Sequence, residues 1–276
     1  MTDIREAGAA DQVPSPTAAP RRLRTVALPA EHGSWGLTTE PILLGLLAAP
    51  SWAGAVLAGA AFGLFLVRWP LKVLGISWRQ RRPERIRLAA QFVVLYGTIA
   101  TVCLIVSVAL AGWEPLAPLV AALPFAAVFV VYDAKNQSRS WQAELAGPVG
   151  FSAVATTIAL AAGWPAGPAA ALWGALVARS VPAVLFVRAR IRLDKGRPYR
   201  VMPTIISHLA ALAAMAWLAN VGILRAWVVG VYVLLLIRAA WGLSRFRRTV
   251  PIKVVGFSEL AWGVVTVVSV AVGVRS

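Results

Sequence analysis

Two short stretches hold most of the side chains that could move a proton or hold a polar substrate. The first is Leu28-Pro29-Ala30-Glu31-His32-Gly33-Ser34-Trp35-Gly36. It sets an acid, an imidazole, a hydroxyl and an indole within two turns of a helix start. Gly33 and Gly36 leave room for close approach of backbone or ligand. By residue type, Glu31 and His32 suit acid–base work. The second stretch runs from Tyr132-Asp133-Ala134-Lys135-Asn136 through Arg139 and Ser140 to Glu144. Read as continuous helix, it puts Asp133, Gln137, Ser140 and Glu144 on one face. Asp133 and Glu144 would then orient a substrate. The other reading, of equal standing, is a solvated loop in which Ser138 or Ser140 caps the next helix.

Further ionisable residues stand inside apolar runs: Glu40, Arg179, His208 and Glu259. Charged groups within a membrane span are costly and mark functional sites by default. Structural roles compete with this. Glu31, Glu144 and Glu259 can pair with loop arginines near the interface. Glu40 and Arg179 can form a purely structural ion pair, and His208 can be a packing residue. The expected catalytic residues are Glu31, His32, Asp133 and Glu144. The expected substrate-binding residues are Trp35, Glu40, Tyr132, Asn136, Arg139, Arg179, Arg192 and His208. With one cysteine, Cys103, and two histidines far apart, no metal site and no cofactor are expected. No glycine-rich phosphate loop, GxSxG elbow or HExxH pair occurs.

The elements that must carry these residues follow from composition. The chain has 276 residues, 59% of them hydrophobic and 14% charged. Its mean hydropathy is +0.73. So much apolar surface needs lipid as its solvent. The net charge of +16 is gathered in short segments between apolar runs. That is the pattern of cytoplasmic loops, so the charge reports topology and not nucleic-acid binding. Membrane lipids, with anionic headgroups at those loops, are the expected partners. Residues 1–25 contain no continuous apolar run and read as a disordered cytoplasmic tail, not a signal peptide.

Residues 26–276 read as a single all-α, polytopic transmembrane helical bundle. The predicted helices cover 33–49, 52–68, 88–113, 116–132, 141–162, 169–187, 201–218, 223–241 and 254–272. Pro50 and the run Gly163-Trp164-Pro165-Ala166-Gly167-Pro168 supply two of the turns. With the N-terminus inside, nearly every basic residue falls on the cytoplasmic side, Arg238 among those counted with the loop after the eighth helix. Arg225 and Arg275 fall outside, and Arg179 within a span. An odd number of spans puts the C-terminus outside the cell membrane. Every intramembrane ionisable residue then lies in the cytoplasmic half. A polar cavity open to the cytoplasm and closed on the outer side is expected.

Leu28-Pro29-Ala30-Glu31-His32-Gly33-Ser34-Trp35, followed by Glu40-Pro41 and an apolar hairpin, resembles the opening signature of the YwiC-like family of bacterial membrane proteins. Tyr132-Asp133, Arg139-Ser140 and Glu144-Leu145-Ala146-Gly147 resemble that family's second marked stretch, and Arg188-Ala189-Arg190-Ile191-Arg192 fits as well. The layout is more distantly similar to the UbiA prenyltransferase superfamily. That likeness implies nine membrane helices and a cytoplasm-facing cavity, with chemistry in the loops after helices 2 and 6. The aspartate-rich motifs are missing: the first loop, Trp69 to Arg87, has only Glu84, and the second only Asp194. A magnesium cage needs more oxygen ligands than that. Arginines such as Arg81, Arg82, Arg192 and Arg197 would have to hold a diphosphate directly. The chain is therefore expected to be an enzyme, or a degenerate one, acting on a lipid or isoprenoid-type molecule. The alternatives are a carrier for a small anion or metabolite, and a non-catalytic membrane scaffold or assembly factor.

Overall fold

The computed structural model describes residues 23, 25–28 and 32–275, without the side chains of 32–34 and 37. Ten α-helices and one short 3₁₀ turn make up the described chain: α1 (His32–Ala48), α2 (Trp52–Arg79), α3 (Pro83–Ala111), the turn Glu114–Leu116, α4 (Ala117–Ala121), α5 (Leu123–Ala134), α6 (Trp141–Ala161), α7 (Ala166–Asp194), α8 (Met202–Asn220), α9 (Trp227–Leu243) and α10 (Ile252–Gly273). The fold is all-α, a multi-span membrane bundle. Among the described residues, six helices are long and apolar enough to cross a bilayer. A seventh span forms if the stretch Glu114–Ala121 and α5 are taken as one, bent by 47°. Pro118 and Pro124 at this joint each lack the N–H that a continuous helix requires. The apolar stretches of α1 and α9 are shorter. At 1.5 Å per residue, a 17-residue helix such as α1 or α9 reaches about 25 Å, less than the bilayer core of about 30 Å. The count of long spans is thus six or seven, where about nine were predicted, although each predicted segment is helical.

Several helices overrun the apolar segments. α2 continues past Arg68 and Pro70 to Arg79, and α3 begins at Pro83. The long loop expected between Trp69 and Arg87 is a tight turn, with Arg81 in the left-handed region at φ 52°. α7 likewise continues to Asp194. Like ends meet like ends. Trp69 Nε1 donates to Thr25 O at 3.0 Å, and Arg247 Nη2 to Leu193 O at 3.1 Å. At the opposite end, Arg225 N donates to Gly273 O at 2.8 Å and Arg275 N to Ile223 O at 2.9 Å. The helices therefore alternate in direction between a basic end and a far end.

Small residues bring the helices close. Gly63 on α2 leaves only 3.1 Å between an added Cβ and the backbone of Ala100 on α3. Ser107 on α3 reaches across to donate to Ala53 O at 3.1 Å. Without a hydrophobic drive in lipid, such close packing and cross-helix hydrogen bonds hold spans together. α6 is buried from Ser152 to Ala159, where α1, α2, α5 and α7 surround it. α7 is central, touching α1, α6, α8, α9 and α10. In contrast, Val94, Val102 and Ile105 on α3 are exposed, as side chains that face lipid must be. The main apolar core joins Leu44, Ala155, Leu172, Met215, Tyr232 and Val267.

Candidate functional site

Arg179 is the only ionisable residue of α7 between Ala166 and Val187. Its neighbours along the helix are apolar, so its charge must be matched from other helices. The packing supplies two carboxylates. Arg179 Nη1 lies 3.3 Å from Glu259 Oε2 on α10, and Nη2 lies 3.7 Å from Glu40 Oε1 on α1. Nη2 also donates to the backbone carbonyl of Glu259 at 2.7 Å. Arg179 is 3% exposed and Glu40 6%. Glu259 is shared: its other oxygen, Oε1, accepts from Arg238 Nη1 on α9. The Arg238 guanidinium also lies 4.3 Å from the Phe186 ring and 5.8 Å from the Trp262 ring. Cation–π contacts of this kind favour keeping a guanidinium charged away from water.

Two further groups complete the site. His208, 4% exposed, has Nδ1 at 2.8 Å from Thr204 O, within its own helix. Tyr232 donates its hydroxyl to Ala175 O at 2.8 Å and stands on the far-end side, within the apolar core. A small cavity bordered by Arg179, His208, Tyr232 and Arg238 lies where α7, α8 and α9 meet. Pro182 borders it too and lacks the N–H that would bond Ala178 O. Glu40 approaches α10 at Gly263, where a Cβ would stand 2.0 Å from its Oε1.

The structure brings together Glu40, Arg179 and His208 from the sequence-based set, with Glu259. It adds Arg238 and Tyr232. The charge pattern of the sequence assigns Arg238 to the loop after the eighth predicted helix. It lies inside α9, one helical face with Tyr232 and Leu235 at spacings of three residues. That spacing, within a segment already predicted to be helical, was the available signal.

The remaining expected site residues lie elsewhere. Glu31 and the side chain of His32 fall outside the described residues. Trp35 packs against Phe62 and Phe65 of α2, with ring centroids 6.2 and 5.3 Å apart. The shared face of Asp133, Gln137, Ser140 and Glu144 does not form. α5 ends at Ala134 and Asn136 turns the chain at φ 55°. Ser140 then caps α6, its Oγ accepting from Ala143 N at 3.4 Å. Asp133, one residue after Tyr132, pairs with Lys72 at 2.7 Å and with Arg68 at 3.9 Å. Glu144 pairs with Arg188, which also donates to Arg139 O at 3.1 Å. Arg192 lies 5.7 Å from the Tyr199 ring. Arg81, Arg82, Arg192 and Arg197 are exposed at the basic end, and Asp194 is taken up by Arg190 at 2.9 Å and Arg247 at 3.3 Å.

A half-buried pair of the Asp133–Lys72 kind contributes little. Asp133→Asn is expected to lower stability by no more than about 1 kcal/mol. The midpoint of thermal unfolding in detergent measures this, and a loss several times larger would show that Asp133 has a further partner.

The YwiC-like protein family matches residues 28–159. This segment of the chain, from before α1 to near the end of α6, is YwiC-like and contains Glu40, Asp133 and Glu144. Arg179, His208, Arg238 and Glu259 lie beyond it. No curated protein and no solved structure matches the chain.

Proposed function

We propose that this YwiC-like, multi-span membrane protein binds a lipophilic, isoprenoid-type molecule by its polar head at the Arg179–Arg238 site and acts on it as an enzyme or a degenerate one. The observation that carries this reading is a pair of arginines within the bundle whose hydrogen-bonding capacity is only partly used. Arg179 Nε, Arg238 Nε and Arg238 Nη2 have no acceptor among the described residues. A purely structural ion pair would be expected to consume those donors, because a buried unpaired N–H is costly. His208 beside them is the group suited to proton transfer.

The direction of approach follows from charge. Arg188, Arg190, Arg192, Arg245, Arg247 and Arg248 lie at the end of the bundle that Arg238 stands nearer to along α9. By the positive-inside rule this basic end is cytoplasmic, in an inner membrane. Toward the far end, Leu172, Met215, Tyr232 and Val267 pack into the main apolar core, with the Tyr232 hydroxyl taken up by Ala175 O. A carrier needs a polar route to both faces. The packed core favours an enzyme-like site that is open on one side only.

Mass spectrometry of lipophilic molecules that co-purify in mild detergent tests the reading. A discrete lipophile with a polar head is expected from the wild-type chain. Arg238→Gln removes charge-assisted donors and is expected to cut its recovery by at least about tenfold. Equal recovery from both proteins, or no discrete molecule from the wild type, would count against it.

A further inference from the structure

The unused donors also say what kind of head the site accepts. Arg179, almost wholly buried, and Arg238 border the cavity at the α7–α8–α9 junction, together with His208, Tyr232, Ala178 and Pro182. The cavity measures about 10 Å³, room for one water-sized atom. A phosphate brings a tetrahedron of oxygens and a diphosphate brings two, and neither enters such a space.

Charge narrows the choice. Glu40 and Glu259 face Arg179 and Arg238, so the two negative and two positive groups cancel. An added anion would have no counter-charge of its own in a low-dielectric interior, which is unfavourable. A cation would meet N–H groups pointing the wrong way. His208 Nδ1 faces a carbonyl, which places the ring proton there in the neutral imidazole. The matching occupant is a neutral oxygen that accepts hydrogen bonds from the unused arginine N–H groups. We infer that the α7–α8–α9 junction binds the carbonyl oxygen of a lipophilic ketone, ester or quinone-type molecule, and does not hold a diphosphate. This rests on reading the site as the seat of a lipophile's polar head.

The apolar remainder of such a molecule has a way out. The Arg238 side chain keeps 15% exposure against 2% for Arg179. The site therefore opens along α9, where Leu234, Ile237 and Trp241 are exposed to lipid. A tail can lie along this face while the carbonyl oxygen reaches inward.

Thermal unfolding of the full chain in mild detergent tests the inference with four compounds: undecan-2-one, undecane, decanoate and farnesyl diphosphate. Undecan-2-one is expected to raise the midpoint by roughly 5 °C at about a hundredfold excess over its Kd, and the other three to leave it unchanged. Arg238→Lys keeps a charge for Glu259 but lacks the guanidinium fork, and is expected to lose the ketone shift. A shift with decanoate or farnesyl diphosphate and none with the ketone would overturn the inference while leaving the proposed function standing. No shift with any compound would also overturn it, with water as the cavity's occupant; the co-purification experiment then decides separately whether the site holds a lipophile at all.

Discussion

Arg179→Leu is expected to leave little folded protein. The substitution strands Glu40, and it removes from Glu259 one of its two arginines. Removing one partner of a buried pair costs about 3–5 kcal/mol, because the remaining charge stays away from water without a counter-ion. That is comparable to the net stability of many domains, about 5–15 kcal/mol. The size of the monodisperse fraction in size-exclusion chromatography of a fluorescent fusion reads the effect. Adding Glu40→Leu to Arg179→Leu removes the stranded charge and leaves Glu259 with Arg238. The double variant is expected to recover much of the folded fraction. A single variant that folds as well as the wild type would mean that Glu40 is neutral or finds another partner.

The second large effect is expected at Gly263. A Cβ there would stand 2.0 Å from Glu40 Oε1 and 2.7 Å from its Cδ. The atoms in the way are the far end of the Glu40 side chain, so the carboxylate must swing aside, and a swing that takes it from its 3.7 Å approach to Arg179 breaks the pair. Gly263→Val should therefore cost about as much as breaking the pair, about 3 kcal/mol, or a drop of roughly 10 °C in Tm. Gly256, on the same helix, has open space where its Cβ would be. Gly256→Ala is expected to be neutral or to gain up to about 1 kcal/mol in helix propensity. Combining Gly263→Val with Glu40→Ala makes the double-mutant cycle. If the glycine serves the carboxylate, the two losses will not add. Additive losses would show that Gly263 matters only for packing against another helix.

The local pattern carried much of the architecture. Uncharged runs around Leu44, Val106, Ala159, Leu176 and Val267 had to be helices, because an unpaired backbone is intolerable in lipid. Their ends were less legible. α2 and α7 run on past the apolar segments, since helical propensity and tertiary packing hold polar residues such as Arg79 and Arg190 in helix outside the hydrocarbon. Arg190 is buried there, donating to Asp194 and to the carbonyls of Gly242 and Arg248. The continuous helical face drawn through Asp133 and Glu144 failed for the opposite reason. Asn136 tolerates the left-handed region and Ser140 caps well, so a turn competes successfully with the helix.

The candidate site divides in the same way. Glu40, Arg179, His208 and Glu259 stood out in the sequence alone, because each is a polar group in an apolar run and the cost of that is local. Which of them would meet was decided only by the tertiary structure. Glu40, Arg179 and Glu259 belong to α1, α7 and α10, and no spacing along the chain encodes their approach. It depends on Gly263 leaving room for a carboxylate and on α7 lying at the centre of the bundle. The sequence by itself determined where the helices lie, that they need lipid, and which end of the bundle is basic, since hydropathy and charge act residue by residue. Packing alone decided that Arg238 joins the buried charges while Asp133 and Glu144 turn to Lys72 and Arg188, because an ion pair forms between whichever groups the helices bring within about 4 Å.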